Sequence, residues 1–230
     1  MPVFSITGDI DPFLLVSLKR GEKIFCESDA MVMMEDALDL KGQMRGGLGQ
    51  SLLRRLVNEE SLFQQEIVAV RGDGDCLLSP ATPGAIQILD VSPKASFVLS
   101  DGSFVAAEST VELKARMNNL GGALFGGTGG FVVMEATGHG KLAVCGTGSV
   151  FTLDVVQGHP ITIDNKHAVA WSSGLHYEVT LLQQQGGLLG SLVGSVTSGE
   201  GLVLKFSGQG QVIVCSRNRG LFSRQAGNSG

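Results

Sequence analysis

Short apolar runs alternate along this chain with clusters of glycine, aspartate and serine. Val3 to Thr7 and Phe13 to Leu18 flank Gly8-Asp9-Ile10-Asp11-Pro12, a pattern that predicts two strands joined as a β-hairpin. Lys23 to Cys26 and Ala30 to Met34 flank Glu27-Ser28-Asp29 in the same way. Ser103 to Ala107 and Thr110 to Ala115 surround Glu108-Ser109, and Pro160 to Ile163 and His167 to Trp171 surround Asp164-Asn165. These three stretches are expected to form three similar hairpins, each opening a repeat.

Each stretch leads to a glycine-leucine segment, then to an apolar strand and a Gly-x-Gly turn. The turns are Gly72-Asp73-Gly74, Gly138-His139-Gly140 and Gly208-Gln209-Gly210. Behind them follow Cys76 to Ser79, Leu142 to Cys145 and Val212 to Cys215, and two further strands end in Leu89-Asp90-Val91 and Leu153-Asp154-Val155. A period of this size implies units that bury their apolar faces against their neighbours. We therefore expect one domain over 1–220, in three repeats of about 1–91, 92–157 and 158–220, with a disordered tail at 221–230.

The segments between strands differ in kind. Leu48, Leu52 and Leu56 recur at helical spacing, as do Leu188, Leu192 and Val196 with Leu189 beside them, so short amphipathic helices are predicted. Gly121 to Gly130 is too rich in glycine for a stable helix and keeps Leu124 and Phe125 as its apolar residues. Such segments cap the repeat core or present an apolar surface at one end of the molecule. The candidate interaction surface is accordingly Leu48, Leu52, Leu56, Leu124, Phe125, Leu188, Leu189 and Leu192.

Composition narrows the function classes. With 33 glycines and 43% hydrophobic residues, the 230-residue chain suits many short strands joined by tight turns. A net charge of −5 offers no footprint for a polyanion, so no nucleic-acid partner is expected. No secretory signal is visible at the N-terminus, which makes the expected location cytoplasmic. The uncharged window from Val179 to Gly199 contains Gln183, Gln184 and Gln185, whose amides argue against a spanning helix. Cys26, Cys76, Cys145 and Cys215 are dispersed and form no Cys-x-x-Cys, so they read as reduced, buried thiols.

Motifs for chemistry are incomplete. Gly121 to Gly130 lacks the lysine of a phosphate-binding loop, no Gly-x-Ser-x-Gly occurs, and no His-x-His pair seeds a metal site. We expect no catalytic residue, no metal and no cofactor. The alternative is a small-ligand binder or enzyme with a pocket between repeats, for which His159, Asp164, His167, His176 and Tyr177 are the available polar cluster.

The set Gly21-Glu22, Glu27-Ser28-Asp29-Ala30-Met31-Val32, Gly121 to Phe131, Gly199-Glu200-Gly201-Leu202-Val203-Leu204 and Gly208-Gln209-Gly210 resembles the altered-inheritance-of-mitochondria, or mitochondrial biogenesis, family. The likeness runs from about Phe4 to Asn218. It implies a fold similar to the tryptophan RNA-binding attenuation protein group: all-β, with three repeats of double-stranded β-helix or β-sandwich type around a pseudo-threefold axis. The family's mitochondrial members are associated with inner-membrane organisation. The resulting expectation is a non-enzymatic protein that acts through homo-oligomerisation, or through assembly with a protein partner or membrane surface, by way of its apolar inserts.

Overall fold

The computed structural model describes residues 1–42, 64–118, 131–181 and 202–219. The chain is all-β. It begins with β1 (Val3–Thr7), β2 (Phe13–Leu18), β3 (Lys23–Glu27), β4 (Met31–Met34), β5 (Leu38–Gly42), β6 (Gln64–Ala69), β7 (Gly74–Leu78) and β8 (Gly84–Val91). There follow β9 (Phe97–Ser100), β10 (Phe104–Glu108), β11 (Val111–Asn118), β12 (Phe131–Gly138), β13 (Gly140–Thr147) and β14 (Val150–Val155). The last are β15 (Ile161–Asp164), β16 (Ala168–Ser172), β17 (His176–Leu181), β18 (Leu202–Ser207) and β19 (Gly210–Cys215), with a 3-10 turn at Asn165–His167. Among the described residues, no helix is long and apolar enough to cross a membrane.

The opening hairpin forms as the alternation predicts. β1 pairs antiparallel with β2, with Thr7 opposite Phe13, and Leu14, Val16 and Leu18 of β2 point into the core. The other three predicted hairpins do not form, although their strands do. β3 pairs with β6 and β10 while β4 pairs with β7, so the Glu27-Ser28-Asp29 turn carries the chain from one sheet to another. Likewise β10 pairs with β13 and β3 while β11 pairs with β12, and β15 pairs with β18 while β16 pairs with β19 and β9. Turning a corner onto a facing layer lets such strands bury their apolar faces against that layer, which extending the same layer would not.

Among the described residues four sheets result, ordered β1-β2-β7-β4, β5-β6-β3-β10-β13-β8, β11-β12-β9-β16-β19-β14 and β15-β18-β17. Three pairings carry a register shift, between Met31 and Met33 in β4, Phe104 and Ala106 in β10, and Ala168 and Ala170 in β16. Such bulges sharpen the local twist and help strands wrap one layer onto the next. The Gly-x-Gly turns connect β6 to β7, β12 to β13 and β18 to β19. At Gly138 the backbone has φ of +92°, His139 N–H donates to Thr110 O at 3.2 Å, and a Cβ on Gly138 would strike that same oxygen. Here glycine is required by both conformation and close approach.

The interior divides into three clusters. One joins β2, β3 and β7 to Val105, Ala106, Ala143 and Cys145; a second joins β9 and β13 to Val169, Ala170, Ile213 and Cys215. The third surrounds Trp171, which is fully buried and meets Tyr177 at 5.0 Å and Phe206 at 5.4 Å in edge-on geometry. Among the described residues, no cluster contains members of both the first seven strands and the last five.

Candidate functional site

The polar turns between strands gather at one place. β3 ends in Glu27, whose neighbour Asp29 adopts φ of +67°, and the β9–β10 turn carries Asp101 and Gly102. Arg219, just past β19, donates from Nη1 to Ala168 O at 2.8 Å and from its backbone nitrogen to Lys166 O at 3.2 Å. A Cβ built on Gly102 would lie 3.6 Å from Arg219 Nη2, so the guanidinium reaches the β9–β10 turn. Cys145 Sγ donates to Gly102 O at 3.7 Å, and Cys215 Sγ to Arg217 O at 3.3 Å. The Ser103 and Thr147 hydroxyls are buried here without a hydrogen-bond partner among the described residues.

Burial governs the electrostatics of this cluster. It pushes the Glu27 carboxyl up to about 7, with Asp101 and Asp29 adding like-charge repulsion. Burial also lowers Arg219 from the usual guanidinium range, opposed by Cys145, Cys215 and Asp101. The Cys145 thiol is pushed up to about 12, chiefly by burial, as are Cys26 and Cys76. A thiol at that value stays protonated at neutral pH and is a poor nucleophile. The site can therefore take up or release a proton at Glu27 near neutrality, while its cysteines pack as small apolar groups.

A pH dependence follows. Folded Glu27 keeps its proton to about pH 7, whereas the unfolded chain releases it near the ordinary carboxyl value of 4.5. The native state therefore binds the extra proton between those values, and stability falls as pH rises through that window. For this half-buried group the loss is about 1–3 kcal/mol. Thermal melts of wild type and Glu27→Gln should converge near pH 4.5 and separate by pH 8, with the variant the more stable. Parallel melting curves across the range would assign the shift to other groups.

The histidine-based cluster suggested by the sequence does not assemble. Asp164 Oδ1 accepts from Lys166 N–H at 2.8 Å, and His167 Nδ1 lies 2.7 Å from Cys215 O. His176 sits at the opposite end of the β15-β18-β17 sheet, opposite Ser207, and its Nε2 lies 3.4 Å from Glu178 Oε1. Those ends are four residue rows apart, from Val203 to Ser207 of β18, about 13 Å. Tyr177, next to His176, faces the other way and packs on Trp171 and Phe206. His159 is exposed in the turn before β15, where its N–H donates to Val156 O at 2.9 Å. No group of three or more metal-binding side chains occurs among the described residues.

The predicted apolar surface lies outside the described residues, because Leu48, Leu52, Leu56, Leu124, Phe125, Leu188, Leu189 and Leu192 all fall within 43–63, 119–130 or 182–201. The predicted helices over those segments lie outside it as well. The strands that bracket them are described. β5 pairs antiparallel with β6, β11 with β12 and β17 with β18. Sequence reasoning missed the Glu27–Asp101–Arg219 grouping. The available signal was that Glu27 shares a strand face with Phe25 rather than with a turn, which marks it as half-buried.

Comparison with known proteins agrees with this architecture. An uncharacterized protein of Streptococcus pyogenes serotype M6 is 34% identical over 215 residues, covering 90% of this chain and 82% of the relative. The crystal structure of a Streptococcus pyogenes protein superposes with a TM-score of 0.77 at 29% identity, covering 99% of both chains. The mitochondrial biogenesis AIM24 family model matches residues 4–217. The chain, whose family features run through nearly all of its strands, belongs to the mitochondrial biogenesis AIM24 family.

Proposed function

We propose that this protein works by association, without catalysing a reaction, and that its three glycine-leucine segments form the contact surface for a second copy, a protein partner or a membrane. The observation that carries this reading is the shared setting of those segments. Each joins the two strands of an antiparallel hairpin, β5–β6, β11–β12 or β17–β18. The second strand of each hairpin then pairs in the same way, β6 with β3, β12 with β9 and β18 with β15.

This recurrence supports three units of six strands, β2 to β7, β8 to β13 and β14 to β19, within one domain of about 1–220; β8 and β14 then open the second and third units, whereas the expected bounds of 1–91 and 92–157 made them close the first and second. The pairings β2–β7, β8–β13 and β14–β19 repeat, and the bulged pairings β4–β7, β10–β13 and β16–β19 repeat with them. The strands that flank the three segments are equivalent in the three units, which supports reading Leu52, Leu124 and Leu192 as one surface.

Changing Leu52, Leu124 and Leu192 together to serine tests the reading. A contact surface predicts an unchanged melting temperature with loss of self-association or of vesicle binding. Loss of cooperative unfolding in the triple variant would instead make these leucines part of the core.

A further inference from the structure

We propose that one copy of this chain docks onto another head to tail, the β15 edge of one pairing antiparallel with the β4 edge of the next. This deepens the self-association reading and rests on it, but uses a surface separate in sequence from the glycine-leucine segments. The sheet orders carry it. β5-β6-β3 joins β10-β13-β8 through β3–β10, and β11-β12-β9 joins β16-β19-β14 through β9–β16. What remains is β17-β18-β15 and β4-β7-β2, the same two halves, left unjoined. The strand β1, beyond β2, has no counterpart in the two complete sheets.

The register is fixed by the two seams that do form. Ala106 lies opposite Cys26 and Ala170 opposite Leu99. Met33 occupies the place of Ala106 and Ala170, directly after the bulge. Ile163 occupies the place of Cys26 and Leu99, since Cys26 aligns with Gln65, Leu99 with Met134 and Ile163 with Leu204 in the adjoining strands. The completed sheet thus sets Met33 opposite Ile163 and Met34 opposite Thr162.

Exposure shows which end is uncovered. Val105, Ala106, Val169 and Ala170 are 0% exposed, whereas Val32 and Met33 in the corresponding strand are 53% and 39% exposed. Nor does β4 carry the charges that protect an edge from pairing: it reads Met-Val-Met-Met, while edge strand β11 carries Glu112, Lys114 and Arg116 and β5 carries Asp39 and Lys41. Closure of β15 onto β4 within one chain is disfavoured because, among the described residues, no core cluster joins the first seven strands to the last five. A contact between two different edges is heterologous, and it builds a ring or a filament rather than a closed twofold dimer.

Mixing two single-edge variants tests the pairing. Met33→Lys charges β4 and leaves β15 intact; Thr162→Lys does the reverse, and both positions are exposed, so melting temperatures should hold. By size-exclusion chromatography with light scattering, the wild type should exceed the 24.0 kDa of one chain, each variant alone should be monomeric, and their mixture should stop at a one-to-one dimer. In a parallel arm, chains with Met33→Cys and chains with Ile163→Cys, mixed and oxidised, should cross-link to each other. Assembly that persists in both lysine variants overturns edge pairing and leaves self-association standing. A wild type that is monomeric throughout overturns both, and a Met33→Cys, Ile163→Cys double variant that closes only within single chains replaces docking by intramolecular closure.

Discussion

Trp171→Ala is expected to destabilise the protein by about 3–5 kcal/mol, the range for truncating a fully buried large aromatic. Trp171 is 0% exposed at the centre of the third cluster, where it touches both Tyr177 and Phe206 edge-on. Truncation removes two aromatic pairs as well as the ring's own burial, and the strands on either side cannot collapse to fill the space. On one side β16 is held by β9 and on the other by β19. Chemical denaturation should show the loss as a lower midpoint with an unchanged slope. Trp171→Phe, which keeps an aromatic ring and drops an indole nitrogen that has no hydrogen-bond partner among the described residues, should recover most of it. Equal losses in the two variants would contradict the packing account.

The second large effect is expected at Gly84. This residue begins β8 with φ of +149° and bridges to Gly148, so two backbones meet there without side chains between them. A Cβ on Gly84 would run into the Gly146 carbonyl oxygen and lie 2.5 Å from the Gly148 nitrogen. Backbone cannot move aside as a flexible side chain can, and the Ala85 N–H to Gly148 O hydrogen bond at 2.7 Å anchors the same contact. Gly84→Ala should therefore cost roughly 3–5 kcal/mol, combining conformational strain with overpacking. Gly21→Ala is the control: φ there is +87°, but nothing lies within 4 Å of the added carbon. It should cost about 1 kcal/mol, the strain alone. Similar melting temperatures for the two variants would show that close approach does not govern Gly84.

Strand positions were legible in the sequence because burial is one-sided at most of them. In β2 the alternation of Leu14, Val16 and Leu18 with Phe13, Leu15 and Ser17 is a direct record of inside and outside. The Gly-x-Gly turns were legible for the same kind of reason, since positive φ at Gly138 and Gly208 admits few other residues. Pairing was not legible. The turn Glu27-Ser28-Asp29 is as compatible with a hairpin as with a corner, and nothing local to β3 and β4 states that their partners are β6 and β7. Only long-range packing decides it. β10 held a hint: Phe104-Val105-Ala106-Ala107 is an unbroken apolar run without alternation, and all five residues from Phe104 to Glu108 are buried.

The polar cluster was less legible still. Glu27 ends β3 beside the polar Ser28-Asp29 turn and Asp101 lies in a turn, so both read as solvated from composition, and Arg219 follows the last strand with no periodic context. Their meeting depends on the corners between sheets. The four cysteines, by contrast, were readable as inert packing groups from their dispersal, and all four are free and buried.

Sedimentation equilibrium of the unmodified chain, from low to high micromolar concentration, tests the central claim most directly. Association predicts a mean mass that rises with concentration in steps of the 24.0 kDa chain. A mass fixed at 24.0 kDa throughout, with no binding to lipid vesicles, would contradict it.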